Sequence, residues 1–230
     1  MLVAQISDLH VAEGRGLAFN VADGMLLLEK TVAHLATLPQ QPDCVVVSGD
    51  ISVNGQAGGY ALAAEALSTL AMPVYVIPGN HDRRGNLVAG LGRFCPADPA
   101  VAPYLCYTVE DYPLRLVFFD GTRPGSHSGH FDAQVAQWLE QTLAAQPERP
   151  TLVFTHHPPF LTALGVMDEP YENAGQLGSI LQNFPNVRLC CGHLHRYMFT
   201  VWHGVAALTA PDAYPVGYAV GVLVVSGLAL

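Results

Sequence analysis

The sequence predicts an α/β fold. Short apolar runs are followed by segments whose apolar residues recur at helical spacing, which is the order expected of strand–helix repeats. The run Cys44–Ser48 shows no apolar–polar alternation, as expected of a strand that is buried on both faces. From Tyr197 onward, strand-like segments follow one another without helices, which predicts an added antiparallel part. No composition shift, repeat or low-complexity tract interrupts the chain, so residues 1–230 are predicted to form a single domain.

The predicted strands are short apolar segments that end at turn or polar residues. Before residue 197 they are Leu2–Ser7, Cys44–Ser48, Pro73–Ile77, Leu114–Phe119, Thr151–Thr155 and Val187–Cys191. The apolar stretch Val216–Leu230 is interpreted as a buried strand and turn. It is too short for a bilayer, which takes roughly 20 residues, so no membrane partner is predicted.

The predicted helices lie between these strands. They are Val21–Leu38, Ala57–Leu70, a short helix within 83–103, a helix from an Asp132 N-cap to about Ala145, and Ala174–Phe184. In the first helix, the residues that share one apolar face are Val21, Met25, Leu28, Val32 and Leu35. In the fourth, the residues predicted to face inward are Val135, Trp138, Leu139 and Leu143.

Composition and charge limit the classes of partner. Half of the 230 residues are hydrophobic and 13% are charged, which allows a large core and an apolar contact in a homo-oligomer. The net charge of -9 argues against binding to a nucleic-acid polymer, because such binders need a basic surface.

The cysteines and the amino terminus predict a cytoplasmic protein. The count of five cysteines is odd, and no C-x-x-C pair occurs. Cys44 and Cys190 lie in apolar runs and are predicted to be buried thiols, which favours a reducing compartment. No basic segment precedes the first apolar residues, so no signal peptide is predicted.

Five segments place metal-ligand side chains directly after predicted strands. They are Asp8-Leu9-His10, Gly49-Asp50, Gly79-Asn80-His81-Asp82, His156 and Gly192-His193-Leu194-His195. Ligands of open α/β sheets bind beyond the carboxyl ends of the strands, so these five loops should converge on one edge. Their carboxylates, carboxamide and imidazoles could hold two divalent metals side by side, an arrangement that hydrolyses phosphate esters.

Each segment taken alone has a simpler interpretation. Asp8 and His10 could belong to an ordinary loop turn, and Asp50 could be an N-cap or Asx-turn. As a ligand, the Asp50 carboxylate could offer one oxygen to each metal. The amide oxygen of Asn80 suits a hard or borderline cation. The side chain of His81 should point differently from that of Asn80, so His81 is predicted to contact substrate or a metal ligand rather than a metal.

The later histidines present a choice. His156 and His157 are adjacent, so one should bind metal while the other points away. His156 is preferred because it is nearer the strand end. His193 and His195 are two residues apart and could serve two neighbouring ions, although isolated histidines of this kind are often exposed in loops. His127 is interpreted as a surface loop residue. The five simple interpretations would all have to hold at strand ends, which favours the metal site.

In this order the segments resemble the calcineurin-like metallophosphoesterase superfamily. Its motifs are D-x-H, G-D, G-N-H-D or G-N-H-E, a single H, and G-H-x-H, and each is present between Asp8 and His195. The chain is most similar to bacterial class III cyclic-nucleotide phosphodiesterases and glycerophosphodiesterases. The resemblance implies a four-layer α/β/β/α sandwich of two mixed β-sheets flanked by helices.

The resemblance also implies a ligand set. One metal would be held by Asp8, His10 and His195. The other would be held by Asn80, His156 and His193. Asp50 would bridge the two metals, and His81 would face the substrate, so Asp50 and His81 are the expected catalytic residues. The mixed nitrogen and oxygen ligands admit Mn, Fe, Zn or Co.

The expected function is hydrolysis of small phosphodiesters by attack of a metal-bound hydroxide. Cyclic nucleotides and glycerophosphodiesters are the expected substrate types. The same site could instead serve a phosphomonoesterase or nucleotide pyrophosphatase, and a non-catalytic scaffold is a further alternative. Segments Val11–Gly24 and Pro159–Gly175 should form the rim. In the second, the residues that could pack against a substrate group or form a lid core are Phe160, Met167 and Tyr171.

Overall fold

The computed structural model describes residues 1–163, 165–211 and 222–223. Ten strands lie in this described part: β1 (Val3–Ile6), β2 (Cys44–Val47), β3 (Val74–Val76), β4 (Tyr107–Val109), β5 (Arg115–Phe118), β6 (Thr151–Phe154), β7 (Val187–Cys191), β8 (Met198–Trp202), β9 (Val205–Thr209) and β10 (Val222–Leu223). The same residues include five α-helices: α1 (Gly24–Thr37), α2 (Ala57–Leu67), α3 (Arg84–Leu91), α4 (Ala133–Ala144) and α5 (Ala174–Leu181).

The strands form two mixed sheets. The first has the order β10-β1-β2-β3, in which β1, β2 and β3 are parallel and β10 is antiparallel to β1. The second has the order β4-β5-β6-β7-β9-β8, with antiparallel pairing only at its two edges. The parallel strands of each sheet bring their carboxyl ends to one edge, and this edge carries the loops predicted to bind metal.

The apolar residues of β5 show how the layers stack. Leu116 and Phe118 belong to a hydrophobic cluster that also contains residues of the first sheet and of helices α1 and α2. Val117, between them in sequence, belongs to a second cluster with α4 and α5. Since successive strand residues point to opposite faces, β5 packs on the first sheet with one face and on helices with the other. The expected four-layer α/β/β/α sandwich is confirmed.

Most predicted elements are confirmed, and every predicted strand before residue 197 lies within one residue of the observed bounds. The first helix was predicted to start too early. Asp23 caps α1 by accepting a hydrogen bond from the backbone N–H of Leu26, and Val21 lies outside the helix with 77% of its surface exposed. The edge strand β4 was not predicted, because three residues are too short a run to show a period.

Two further predictions concern the cysteines and the carboxyl terminus. All five cysteines are buried, as predicted for Cys44 and Cys190. The predicted buried strand within Val216–Leu230 lies outside the described residues, apart from Val222 and Leu223, which pair with β1. Among the helices that the structure describes, none is long and apolar enough to cross a bilayer.

Candidate metal centre

The five predicted loops meet at the carboxyl edge of the two sheets. Gln5 of β1 bridges the sheets beside this edge, because its amide donates hydrogen bonds to Ser48 Oγ and to the Cys191 carbonyl, both at 2.9 Å. The glycines of the motifs permit the close approach. A Cβ on Gly192 would lie 2.0 Å from Ser7 Oγ, so any larger residue would push the two loops apart.

Many of the converging residues have a left-handed backbone conformation. This region is uncommon for residues other than glycine and costs of order 1–3 kcal/mol for each. The site residues with positive φ are Asp8 (56°), His10 (43°), Asp50 (51°), His193 (71°) and His195 (55°). Backbone strain of this kind persists where the surrounding structure fixes it, and it is concentrated at functional sites.

One group of ligand atoms comes from Asp8, His10 and His195, which lie within 4.8 Å of one another. Asp8 Oδ2 accepts a hydrogen bond from the backbone N–H of His193 at 3.0 Å, while Asp8 Oδ1 lies 3.5 Å from His195 Nε2. Within the described structure, Asp8 Oδ1 and both ring nitrogens of the buried His10 have no hydrogen-bond partner. Buried polar atoms are normally satisfied, so these atoms fit a bound cation.

A second group lies around His156. Its Nε2 is 3.2 Å from Asn80 Oδ1 and 3.4 Å from Asp50 Oδ2. The other ring nitrogen, Nδ1, donates to the carbonyl of Ser48 at 2.8 Å, which fixes the tautomer and leaves Nε2 facing the site. The ring of His193 lies 5.2 Å away, centre to centre, and completes the group.

Asp50 lies between the two groups. Its Oδ2 is 3.9 Å from His10 Nε2 in the first group and 3.4 Å from His156 Nε2 in the second. Asp50 Oδ1 accepts a hydrogen bond from the backbone N–H of His81 at 2.8 Å, which orients the carboxylate. One oxygen therefore faces an imidazole nitrogen from each group, the arrangement that a bridging ligand requires.

His81 lies at the open side of Asp50. Its Nδ1 donates to the carbonyl of Val53 at 2.7 Å, and its Nε2 lies 4.0 Å from Asp50 Oδ2. The ring is 5.0 Å from that of His10. The ligand atoms of His10, Asp50 and His81 also lie within 4.8 Å of one another, so the geometry permits His81 to face either a metal or a substrate.

Comparison with known proteins agrees with this geometry. The sequence model of the calcineurin-like phosphoesterase family matches residues 1–197. This chain belongs to that family. The glycerophosphodiester phosphodiesterase GpdQ of Enterobacter lignolyticus is 33% identical over 213 residues, which cover 92% of this chain and 77% of GpdQ. The 3',5'-cyclic adenosine monophosphate phosphodiesterase CpdA of Escherichia coli K12 is 26% identical over 212 residues, which cover 91% and 75% of the two chains.

A solved structure supports the fold. The dimetal phosphatase from Danio rerio superimposes with a TM-score of 0.76 at 17% identity, covering 93% of this chain and 88% of the phosphatase. The family match over residues 1–197 confirms the resemblance to metallophosphoesterases. Calcineurin-like phosphoesterases use a dinuclear metal centre, and this member has potential metal-binding residues at the carboxyl edge of its sheets.

The pKa values of several site histidines of this phosphoesterase are shifted by burial and by neighbouring charges. Burial lowers the pKa of His10 to about 4 and that of His193 to about 3, so both rings are neutral at pH 7. Neutral imidazole is the form that coordinates metal. Burial also opposes protonation of His156, but the charge and hydrogen bond of Asp50 raise its pKa to about 9. His156 would therefore have to lose a proton before its ring could bind a metal.

His157, the neighbour of His156 that was expected to point away from the metal, lies close to the second group of ligand atoms. It is buried, and its ring lies 4.7 Å from that of His193. Its ligand atoms lie within 4.8 Å of those of His156 and His193. Tyr171 packs beside His157 at 6.4 Å between ring centres. It is half-buried, but its hydroxyl is buried and its ring packs against the second hydrophobic cluster, which fits the lid-core alternative better than a substrate contact.

Two supporting residues were not assigned these contacts from the sequence. Gln5 could have been found as the one amide within an otherwise apolar strand. The other residue is Asp82, the last residue of the segment Gly79-Asn80-His81-Asp82. It accepts hydrogen bonds from the backbone N–H groups of Gly79, Ile51 and Ser52 at 2.8, 3.1 and 3.1 Å, so it ties the loop after β3 to the loop after β2.

Proposed function

We propose that this chain is a dinuclear metal-dependent phosphodiesterase acting on small diesters of the cyclic-nucleotide or glycerophosphodiester type. The observation that carries the proposal is the position of Asp50 Oδ2, within 4 Å of an imidazole nitrogen from each ligand group. The names of the relatives GpdQ and CpdA support diesters as the substrate class.

The proposed ligand set follows from the two groups. Asp8, His10 and His195 would hold one divalent cation. Asn80, His156 and His193 would hold the other, and Asp50 would be shared. Two such cations supply Lewis-acid chemistry, lowering the pKa of a bound water and neutralising charge on phosphoryl oxygens. Nitrogen and oxygen donors together suit Mn, Fe, Zn or Co, and the residues themselves do not select among these.

His81 is the proposed substrate-facing residue. Because its Nδ1–H is committed to the Val53 carbonyl, Nε2 is the atom that remains for the site. When protonated there, it can donate a hydrogen bond to a phosphoryl oxygen or protonate the leaving alkoxide. The backbone N–H of His81 binds Asp50 Oδ1 at 2.8 Å, so the same residue positions both the carboxylate and the imidazole.

Reconstitution with metal tests the proposal. The purified chain would be stripped and reloaded with Mn, Fe, Zn or Co, and hydrolysis of bis(4-nitrophenyl) phosphate and 4-nitrophenyl phosphate would be followed while bound metal is counted. Diester turnover that rises up to two metals per chain is expected. His34→Ala, which removes an exposed histidine of α1, should leave both readouts unchanged.

The other outcomes separate the alternatives. Turnover of the monoester alone would contradict the diesterase proposal and assign a phosphatase. Two bound metals without hydrolysis of either ester, or of cyclic nucleotides, glycerophosphodiesters and nucleotide pyrophosphates, would favour a non-catalytic scaffold.

Three further predictions belong to this proposal. A cytoplasmic location is supported by the five unpaired thiols. A single domain over residues 1–230 is supported by the family match over residues 1–197 and by the hydrophobic cluster that joins both sheets. Self-association into a homo-oligomer stays a prediction from composition, and gel filtration with light scattering would test it.

A further inference from the structure

A cleft of about 400 Å³ opens beside the candidate metal centre. Asn80, His81 and the loop 122–125 are among the residues that line it. A volume of this size is within the range of small-molecule sites. Because Asn80 and His81 belong both to this lining and to the candidate metal centre, one substrate could place its phosphoryl group at the metals and another group in the cleft.

The cleft is unusually cationic for this chain. Three arginines line it, namely Arg83, Arg84 and Arg123, although the whole sequence has only 10 Lys and Arg residues against 19 Asp and Glu. Asp82 is the one acidic residue among the lining residues described, and its oxygens already accept hydrogen bonds from three backbone N–H groups and from Tyr60.

Two of the arginines have acidic partners. Arg84 Nη2 lies 3.0 Å from Asp120 Oδ1 and also donates to the carbonyl of Thr122 at 2.7 Å. Arg123 Nη1 lies 2.7 Å from Glu172 Oε2. The charge of each is therefore largely balanced within the protein.

Arg83 differs from both. It is exposed, and no carboxylate in the described structure lies within ion-pair distance of its guanidinium group. Its side chain is nevertheless held in place. Nε donates to the carbonyl of Asn54 at 3.3 Å, and the aliphatic part lies over Gly55, where an added Cβ would be 2.5 Å from Arg83 Cγ. The terminal nitrogens of a positioned guanidinium are thus left for a ligand.

We propose that Arg83 binds a second anionic group, a carboxylate or a phosphate, carried by the substrate on the alcohol side of the scissile ester. This inference rests on the proposed phosphodiesterase function and narrows its substrate class. A planar guanidinium binds carboxylate or phosphate through paired N–H groups, and such charge-assisted hydrogen bonds are stronger than neutral ones. Arg83 would then determine specificity, while the chemistry takes place at the metal centre.

Binding of non-hydrolysable analogues tests the inference. The probes are alkylphosphonates that carry a terminal carboxylate two to four methylenes away, each compared by calorimetry with its carboxamide on the metal-loaded protein. The wild type should bind at least one carboxylate about 10-fold more tightly than its carboxamide. Arg83→Gln should abolish this preference, and Arg83→Lys should retain part of it. Analogues with a terminal phosphate at the same position show which anion is preferred.

Matched variants and outcomes make the test decisive. Arg188→Gln removes the same charge near the amino end of β7, away from the site, and should keep the preference. Equal affinity for carboxylate and carboxamide in the wild type, a preference that survives Arg83→Gln, or no binding of any analogue would each overturn the inference. Hydrolysis of bis(4-nitrophenyl) phosphate by the wild type reports separately on the proposed function, since that diester has no second anion.

Discussion

The four aspartates that follow β1, β2, β3 and β5 form two contrasting pairs. Asp8 and Asp50 lie among imidazoles at the candidate metal centre, whereas Asp82 and Asp120 lie among hydrogen-bond donors. In the sequence all four look alike, because each is an Asp within a few residues of an apolar strand. The contrast lies in how much acceptor capacity each carboxylate has left.

Asp82 and Asp120 are saturated. Asp120 accepts hydrogen bonds from Arg84, from the backbone N–H of Leu105 and from the backbone N–H and hydroxyl of Thr122. Such carboxylates hold loops together, because both of their oxygens already accept hydrogen bonds. In Asp8 and in Asp50, one carboxylate oxygen accepts a hydrogen bond from a backbone N–H group, and the other oxygen faces imidazole rings. The free oxygen, rather than the position after a strand, distinguishes a ligand from a structural acid.

The largest effect is expected for Asp50→Asn. The amide loses the charge that both metals would share, so the two metals should be lost or weakened together. Turnover should fall by about 10⁴-fold, equivalent to about 5 kcal/mol of transition-state stabilisation. Metal analysis and diester hydrolysis on the same samples provide the measurement. Two ions at full occupancy in this variant would refute the bridging role.

Arg84→Met should act on stability instead. It leaves the buried Asp120 carboxylate without its guanidinium partner, and breaking such a pair costs about 3–5 kcal/mol. Urea unfolding should show the loss, while the folded fraction keeps its metals. The double variant with Asp120→Asn should recover part of the stability because the uncompensated charge is gone. An unchanged unfolding midpoint in the single variant would contradict the saturated-pair interpretation.

His81→Ala tests the open side of Asp50. We expect both metals to remain while turnover falls by about 10²-fold, as for loss of a general acid or a transition-state donor. Steady-state kinetics with metal counting would decide. If a metal leaves with the imidazole, His81 is a ligand, which its 4.0 Å distance from Asp50 Oδ2 also permits.

Asp82→Asn should have the smallest effect. One carboxylate oxygen becomes an NH₂ group, which faces two existing donors and leaves them without an acceptor. The free energy of unfolding should fall by about 2 kcal/mol. Urea unfolding should register this loss, and metal content per folded chain should stay normal. Loss of metal without loss of stability would place Asp82 with Asp8 and Asp50, and the contrast between the pairs would fail.

Much of the fold was predictable because its signals are local. The predicted strands before residue 197 ended within one residue of the observed bounds, since apolar runs and turn residues define them. Val21 continues the apolar period but lies outside α1, because Asp23 caps the helix. The spacing of apolar residues does not reveal where such a cap ends a helix. The place of His157 beside His193 was not predicted, because the direction of adjacent loop side chains depends on packing.

The sequence by itself determined which residues end the strands and which glycines allow the loops to approach, because both depend on short stretches of chain. Tertiary structure decided which aspartates keep a carboxylate oxygen that is free to bind a metal. Asp120 is saturated by Arg84, which lies 36 residues away, and Asp8 is oriented by a backbone N–H 185 residues away. Hydrogen-bond saturation depends on donors that only the folded chain brings together, so it is decided at the level of the two packed sheets.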